Sequence, residues 1–256
     1  LLGSLFAMRA LCLRAGASTA AATAAPLVFA LLLPFFLTEG GYFYDFFEVL
    51  FMTCAILLAW RIPVDKPVRA AGRLGLLAVV AGIAAWNKEA FFFFAVTLYP
   101  FLRVSLSRFK AAGVVGALVF IAGCVYLALR MRYAGNPGGT VSFQPGANLF
   151  YFFDPGNWFR TESTYGVMLP KGLSAFMVLM IAGVAATGWR RLPAAFRLHV
   201  LTALAVNVPL FLMFAAEGEA RNLSMLYPSL LALMSMALTS WMQAAGPQAL
   251  DGGRHP

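Results

Sequence analysis

The sequence predicts an all-α fold, a polytopic bundle of transmembrane helices, and three observations carry that prediction. Of 256 residues, 61% are hydrophobic and only 11% charged, with a mean hydropathy of +0.80. A soluble domain is about 45–50% apolar and about 25% charged, so this chain lacks the polar side chains to cover a water-facing surface. The apolar runs are long and apolar on every face, unlike the alternating stretches of about ten residues that build a transmembrane barrel. The 19 basic residues gather at the ends of those runs. The net charge of +9 therefore reads as membrane topology rather than as a nucleic-acid surface.

A spanning helix needs about 20 apolar residues to cross about 30 Å of hydrocarbon. Leu1 to Leu13 reads as the tail of one helix, closed by Arg14. Thr19 to Leu37 and Asp45 to Trp60 follow, the latter ending at Arg61. Ala111 to Leu129, Leu173 to Trp189, Leu198 to Ala216 and Leu223 to Gln243 complete the series. Between them, 74–102 reads as 13 apolar residues, then Asn87-Lys88-Glu89, then 13 more. A single helix would hold Lys88 and Glu89 near mid-membrane, at about 2.5–3.5 kcal/mol for Lys or Asp. Both flanks are basic, so both belong on one side, and a hairpin of two short helices satisfies that. The expectation is about eight full or partial spans plus this short-helix hairpin, over residues 1–244. Residues 245–256 form a polar tail.

One topology suits every basic cluster. Arg9, Arg14, Arg61, Lys66, Arg69, Arg73, Arg103, Arg108, Lys110, Arg190, Arg191, Arg197 and Arg254 share the cytoplasmic side, 13 of the 19 basic residues. Eight of the 10 acids fall on or near the outer side, and only Asp65 and Asp251 do not. The polar tail then lies in the cytoplasm, and residues 130–170, rich in Gly, Pro, Asn and aromatics, form an outer interfacial segment. Within it, Asn148 to Phe153 suits a short helix along the interface, and Arg160, Glu162 and Tyr165 are candidates for substrate contact. Cys12, Cys54 and Cys124 have no metal-type spacing and read as small buried hydrophobes. His199 reads as structural. The chain opens on Leu inside an apolar run, with Arg9 and Arg14 within and after it. That order does not suit a signal peptide, and an N-terminal part is expected to be missing.

Three polar clusters lie near the outer face. Tyr44, Asp45 and Glu48 enter the third helix. The two acids stand three residues apart and share a helical face, and the second is not required for capping. Asn87-Lys88-Glu89 places ionisable groups at membrane depth, where they are functional candidates by default. Glu217, Glu219 and Arg221 lie before the last helix, where a guanidinium can grip a phosphate through two parallel bonds. In a chain this poor in charge, three such clusters on one side suggest a shared site.

With these residues in view, the pattern resembles the membrane-embedded GT-C glycosyltransferases, which take sugars from polyprenyl-phosphate donors. The likeness is best over the first 110 residues. Arg14 and Gly16 before an Ala-rich helix start resemble that family's second helix end and third helix start. Tyr44-Asp45 resembles the acidic position of its second outer loop. Ala84-Ala85-Trp86-Asn87-Lys88-Glu89-Ala90 is similar to the Lys-bearing elbow of protein O-mannosyltransferases and aminoarabinose transferases. Glu219 to Asn222 resembles a Glu-x-Arg-Asn of uncharacterised bacterial members.

The resemblance implies transfer of a sugar from a polyprenyl-phosphate donor to an acceptor on the extracytoplasmic face of a bacterial inner membrane. The family's principal base, an acid of the first outer loop, would precede Leu1, so this piece alone is expected to be inactive. By transfer, Asp45 and Glu48 are auxiliary acids, and Lys88 and Arg221 bind the donor phosphate. Tyr44, Asn87, Glu89, Glu217 and Glu219 support them. No metal ligand set is expected from the residues, while the family leaves a divalent metal open. The sugar, the acceptor and the lipid stay unassigned, and no nucleic-acid partner is expected. Two other classes remain: a secondary transporter, which also uses broken helices and buried charge, and a non-catalytic membrane scaffold.

Overall fold

The computed structural model describes residues 1–36, 43–136, 143, 145–164, 167–170, 172–215, 217–218 and 220–245, and the side chains of 33–36, 43–44, 162–164, 167 and 169–170 lie outside that description. The chain is helical almost throughout. In order come α1 (Leu2–Ala15), α2 (Thr19–Phe36), α3 (Phe43–Ala59), α4 (Pro67–Asn87), α5 (Ala90–Thr97), α6 (Tyr99–Leu102) and α7 (Arg108–Arg132). They are followed by α8 (Ala147–Phe153), α9 (Ala175–Gly188), α10 (Ala194–Phe214) and α11 (Tyr227–Ala245). Short 3₁₀ stretches cover Pro155–Phe159 and Ala220–Leu226. A small antiparallel pair, β1 (Thr161–Thr164) and β2 (Val167–Pro170), sets Thr161 opposite Pro170 and Thr164 opposite Val167.

Local chemistry explains several boundaries. Gly16 ends α1 with φ +100, a conformation glycine reaches without a Cβ penalty. Its N–H bonds Leu13 O while Ala17 N–H bonds Cys12 O, the paired closure that satisfies the last carbonyls of a helix. Pro67 opens α4, where its missing N–H would have had no partner anyway. Ser107 and Ser174 accept from the backbone N–H of Lys110 and Met177 at the starts of α7 and α9, as N-cap hydroxyls do.

The helix with the most buried residues is α11, with 12 of its 19 residues inside, and α1, α2, α9 and α10 pack around it. Its small residues permit this close approach, as is usual between helices in lipid. At Gly188 of α9, an added Cβ would stand 2.6 Å from the backbone oxygen of Leu233, so the two backbones are nearly in contact there. Two hydroxyls of α11 donate within the helix: Ser235 to Ala232 O at 2.7 Å and Thr239 to Ser235 O at 2.8 Å. By contrast α7 buries 3 of its 25 residues and lies on the periphery against α4 and α5. The core is aromatic: Trp60 meets Phe101 and Phe196 edge-on at 5.9 and 5.2 Å.

The polar elbow is a true reversal. Lys88 reaches α3 near its start, at Asp45 and Glu48, while Phe101, past α5, packs on Trp60 just beyond the end of α3. The two arms are unequal, however. The first helix begins at Pro67 rather than Leu74 and its 21 residues cover about 31 Å. It absorbs Arg69 and Arg73 because arginine is a good helix former whose charged head reaches the boundary while its stem stays apolar. The return arm is short and bends at Leu98, ahead of Pro100.

The expected eight spans are not confirmed among the described residues. Among the described residues, four stretches are long and apolar enough to cross a membrane: Pro67–Asn87, Arg108–Arg132, Ala194–Phe214 and Ala220–Ala245. The apolar stretches Thr19–Leu32, Ala90–Leu102 and Ala175–Gly188 are shorter, and α3 has 17 residues with Asp45 and Glu48 inside it. The helices depart from the apolar runs in both directions: α4, α7 and α10 extend beyond them, while α9 and α11 are shorter. Cys12 is buried and Cys54 half-buried, whereas Cys124 is exposed on the periphery; its place on α7 leaves it outside the core. The polar tail after Ala245 lies outside the described residues.

Candidate functional site

At one end of the bundle, which we call the acidic end, α3 starts with Asp45 in its first turn and Glu48 one turn deeper. Both are almost entirely buried, each 4% exposed. Lys88 enters from the elbow between α4 and α5. Its Nζ stands 2.7 Å from Glu48 Oε2 and 3.2 Å from Asp45 Oδ1. Arg221, from the 3₁₀ stretch before α11, brings Nη1 to 3.9 Å from Asp45 Oδ2. Ser224 of the same stretch donates its hydroxyl to Glu48 Oε1 at 2.8 Å. Two carboxylates and two cations thus meet with no net formal charge, which is how ionic groups become tolerable inside a protein.

The electrostatics follow from the burial. Desolvation works against the Lys88 ammonium, but Glu48 and then Asp45 outweigh it and its pKa is raised. The side chains of Lys88 and Arg221 keep 18% and 17% of their surface, more than the acids they pair with.

Arg221 is held in place by its surroundings. Asn207 of α10 donates Nδ2–H to Asn222 O at 2.6 Å, and Tyr227 donates its hydroxyl to Ala220 O at 3.1 Å. The preceding turn is anchored by Asn148 of α8, a side chain with no exposed surface. Its Nδ2 donates to Phe211 O and Ala215 O at 3.1 and 2.8 Å, and its Oδ1 accepts from Gly218 N–H at 2.9 Å. Gly218 has φ +69 and a Cβ there would strike the Tyr151 ring at 2.8 Å, so only glycine fits this turn.

The other sequence-derived candidates divide. Asn87 is partly buried at the end of α4, beside Lys88. Glu89 does not join the cluster: it pairs with Arg130 at 3.4 Å, both about half exposed. Successive residues at an elbow do not face one way, and Lys88 is extended while Glu89 is helical. Glu217 is exposed. The Tyr44 side chain and Glu219 lie outside the described residues, as do the Glu162 side chain and Tyr165; Arg160 is exposed. Ser224, Asn148 and Asn207 were not anticipated. Short polar side chains on or near apolar helices give no signal until their partners are known.

A divalent cation does not fit this donor set. The Lys88 ammonium bridges the two carboxylates where a cation would sit, and no group of three His, Cys, Asp or Glu side chains converges among the described residues. His199 is buried in the interior, as a structural residue would be. Thr97 Oγ1 donates to Phe94 O at 2.7 Å, so its 3.1 Å contact with His199 Nε2 makes that nitrogen the donor. Nδ1 then accepts from Ser229 Oγ at 2.7 Å, and a neutral ring is satisfied on both sides.

Compared with known proteins, the chain matches no family model, no curated protein and no solved structure.

Proposed function

We propose that this membrane protein is the core of a glycosyltransferase that takes a sugar from a polyprenyl-phosphate donor at the extracytoplasmic face. The observation that supports the reading is the convergence of Lys88 and Arg221 on the buried Asp45 and Glu48. In this reading an acceptor hydroxyl attacks the anomeric carbon, the bond from that carbon to the phosphate oxygen breaks, and the lipid phosphate departs. Lys88 and Arg221 stabilise the charge growing on that phosphate, the kind of preorganised electrostatic term that is usually the largest in catalysis. Asp45 and Glu48 hold the two cations in position and form the acidic wall of the acceptor side. The proton of the acceptor passes to a carboxylate base and leaves with solvent. In this reading the acidic end faces outward and the setting is a bacterial inner membrane.

The test is sugar transfer from a labelled polyprenyl-phosphate sugar in membranes from cells expressing the natural gene in full. Arg221→Gln should lower transfer about 10²-fold, the scale for losing one transition-state donor, and Asp45→Asn should lower it as well. Unchanged transfer in both variants, with protein levels equal, would remove the proposal.

A further inference from the structure

At the opposite end of α3 the geometry points to a binding site for a phosphate group, which we assign to the headgroup of an anionic phospholipid. Two guanidinium groups converge on the same three carbonyls. Arg14 of α1 donates to Leu57 O at 3.0 Å, to Trp60 O, and to Arg61 O at 3.4 Å. Arg73 of α4 donates to Leu57 O, to Trp60 O at 3.1 Å, and to Arg61 O at 3.4 Å. A third, Arg61, lies 4.9 Å from the centre of the Trp60 ring, against 5.7 Å for Arg14. Arg61 itself has φ +57, the left-handed turn that ends α3 and directs these carbonyls together.

One guanidinium would suffice to close this helix end. A helix C-terminus carries about half a negative charge, far short of three positive ones. Among the described residues no carboxylate lies within ion-pair distance of Arg14, Arg61 or Arg73, and Asp65 is the only acid between 61 and 73. The indole face offsets part of the repulsion, but the local charge stays positive. Each guanidinium has five N–H donors in a planar fork. Those not turned to the carbonyls suit phosphate oxygens, which arginine grips in pairs. The cluster lies where α3 ends and α4, one of the stretches able to cross a membrane, begins, which assigns it to headgroup level, and the flanking Lys66 and Arg69 are exposed. A lipid phosphate supplies the missing anion at that depth, and the assignment does not rest on the proposed sugar transfer.

The experiment is thermal unfolding of the detergent-purified protein with added phosphatidylglycerol, phosphatidylcholine or inorganic phosphate. Phosphatidylglycerol should raise Tm by about 5 °C at saturation, phosphatidylcholine by much less. Arg73→Gln and Arg61→Gln should each lose at least half of that rise. Arg61→Gln is the safer variant, because its guanidinium bonds none of the three carbonyls and its loss leaves α3 closed. An equal rise with inorganic phosphate alone would support the phosphate site and reassign its source to the free ion. Equal rises with both lipids, or a full phosphatidylglycerol effect in both variants, would overturn the site.

Discussion

An ammonium shared by two buried carboxylates, 2.7 and 3.2 Å away, cannot be removed without taking the nearest cation from both anions, and its loss leaves Glu48 with the neutral Ser224 hydroxyl. Lys88→Met should therefore destabilise the protein by about 3–5 kcal/mol, the range for breaking a buried pair from one side. Adding Glu48→Gln should return part of that loss, because the Glu48 charge disappears. Thermal unfolding in detergent reads both, and a Lys88→Met protein as stable as the parent would show that the carboxylates are held by other groups. Arg221 was legible in the sequence because it stands in a polar cluster before the last helix, and Asp45, Glu48 and Lys88 because a charge within an apolar run must answer for its cost. Glu89 was misread for the same reason. Adjacency to Lys88 suggested a shared role, but the elbow turns one residue inward and the other to the surface pairing with Arg130. Ser224 could not be read, since a serine in a membrane helix can bond its own backbone as readily as a distant acid.

Between α9 and α11 the packing is set by backbone, not by side chains. Gly188→Ala places a methyl group 2.6 Å from Leu233 O and 3.2 Å from Ala237 N, and neither atom can rotate away. Overpacking of this kind typically costs about 1–3 kcal/mol. Gly183, on the same helix, has no atom within 4 Å of an added Cβ. There Gly→Ala should be neutral or stabilising by up to about 1 kcal/mol through helix propensity. The two variants compared by thermal unfolding separate contact from propensity, and equal effects would mean the helices can part without loss. Hydropathy located the runs that became α7, α9, α10 and α11 within a few residues. It could not place the start of α4, since Arg69 and Arg73 look like loop yet are helical. Nor could it find the strands Thr161–Thr164 and Val167–Pro170, whose pairing depends on a turn rather than on periodicity.

Over the whole molecule, α3 separates two kinds of charge. Its first turns hold Asp45 and Glu48, and its last carbonyls accept from Arg14 and Arg73, an arrangement that also follows the helix dipole. This polarity was readable from the grouping of basic residues alone, whereas the number of crossings was not, because a run of apolar residues does not reveal where its helix stops. The excess of Lys and Arg in short loops orients membrane proteins toward the cytoplasm, so the end bearing Arg14, Arg61, Lys66 and Arg73 should face inward. Single cysteines test this in a background where Cys12, Cys54 and Cys124 are replaced by Ala. Glu217→Cys, exposed at the acidic end, should react with a membrane-impermeant maleimide in intact cells. Lys66→Cys, exposed at the basic end, should react only after the membrane is opened. The reverse pattern would place the Asp45–Lys88–Arg221 cluster on the cytoplasmic side and remove the basis for an extracytoplasmic transfer. Labelling of both sites from outside would mean that the helices between them do not form a continuous barrier. The two positions are read independently, so a failure of either one identifies which end of α3 has been misassigned.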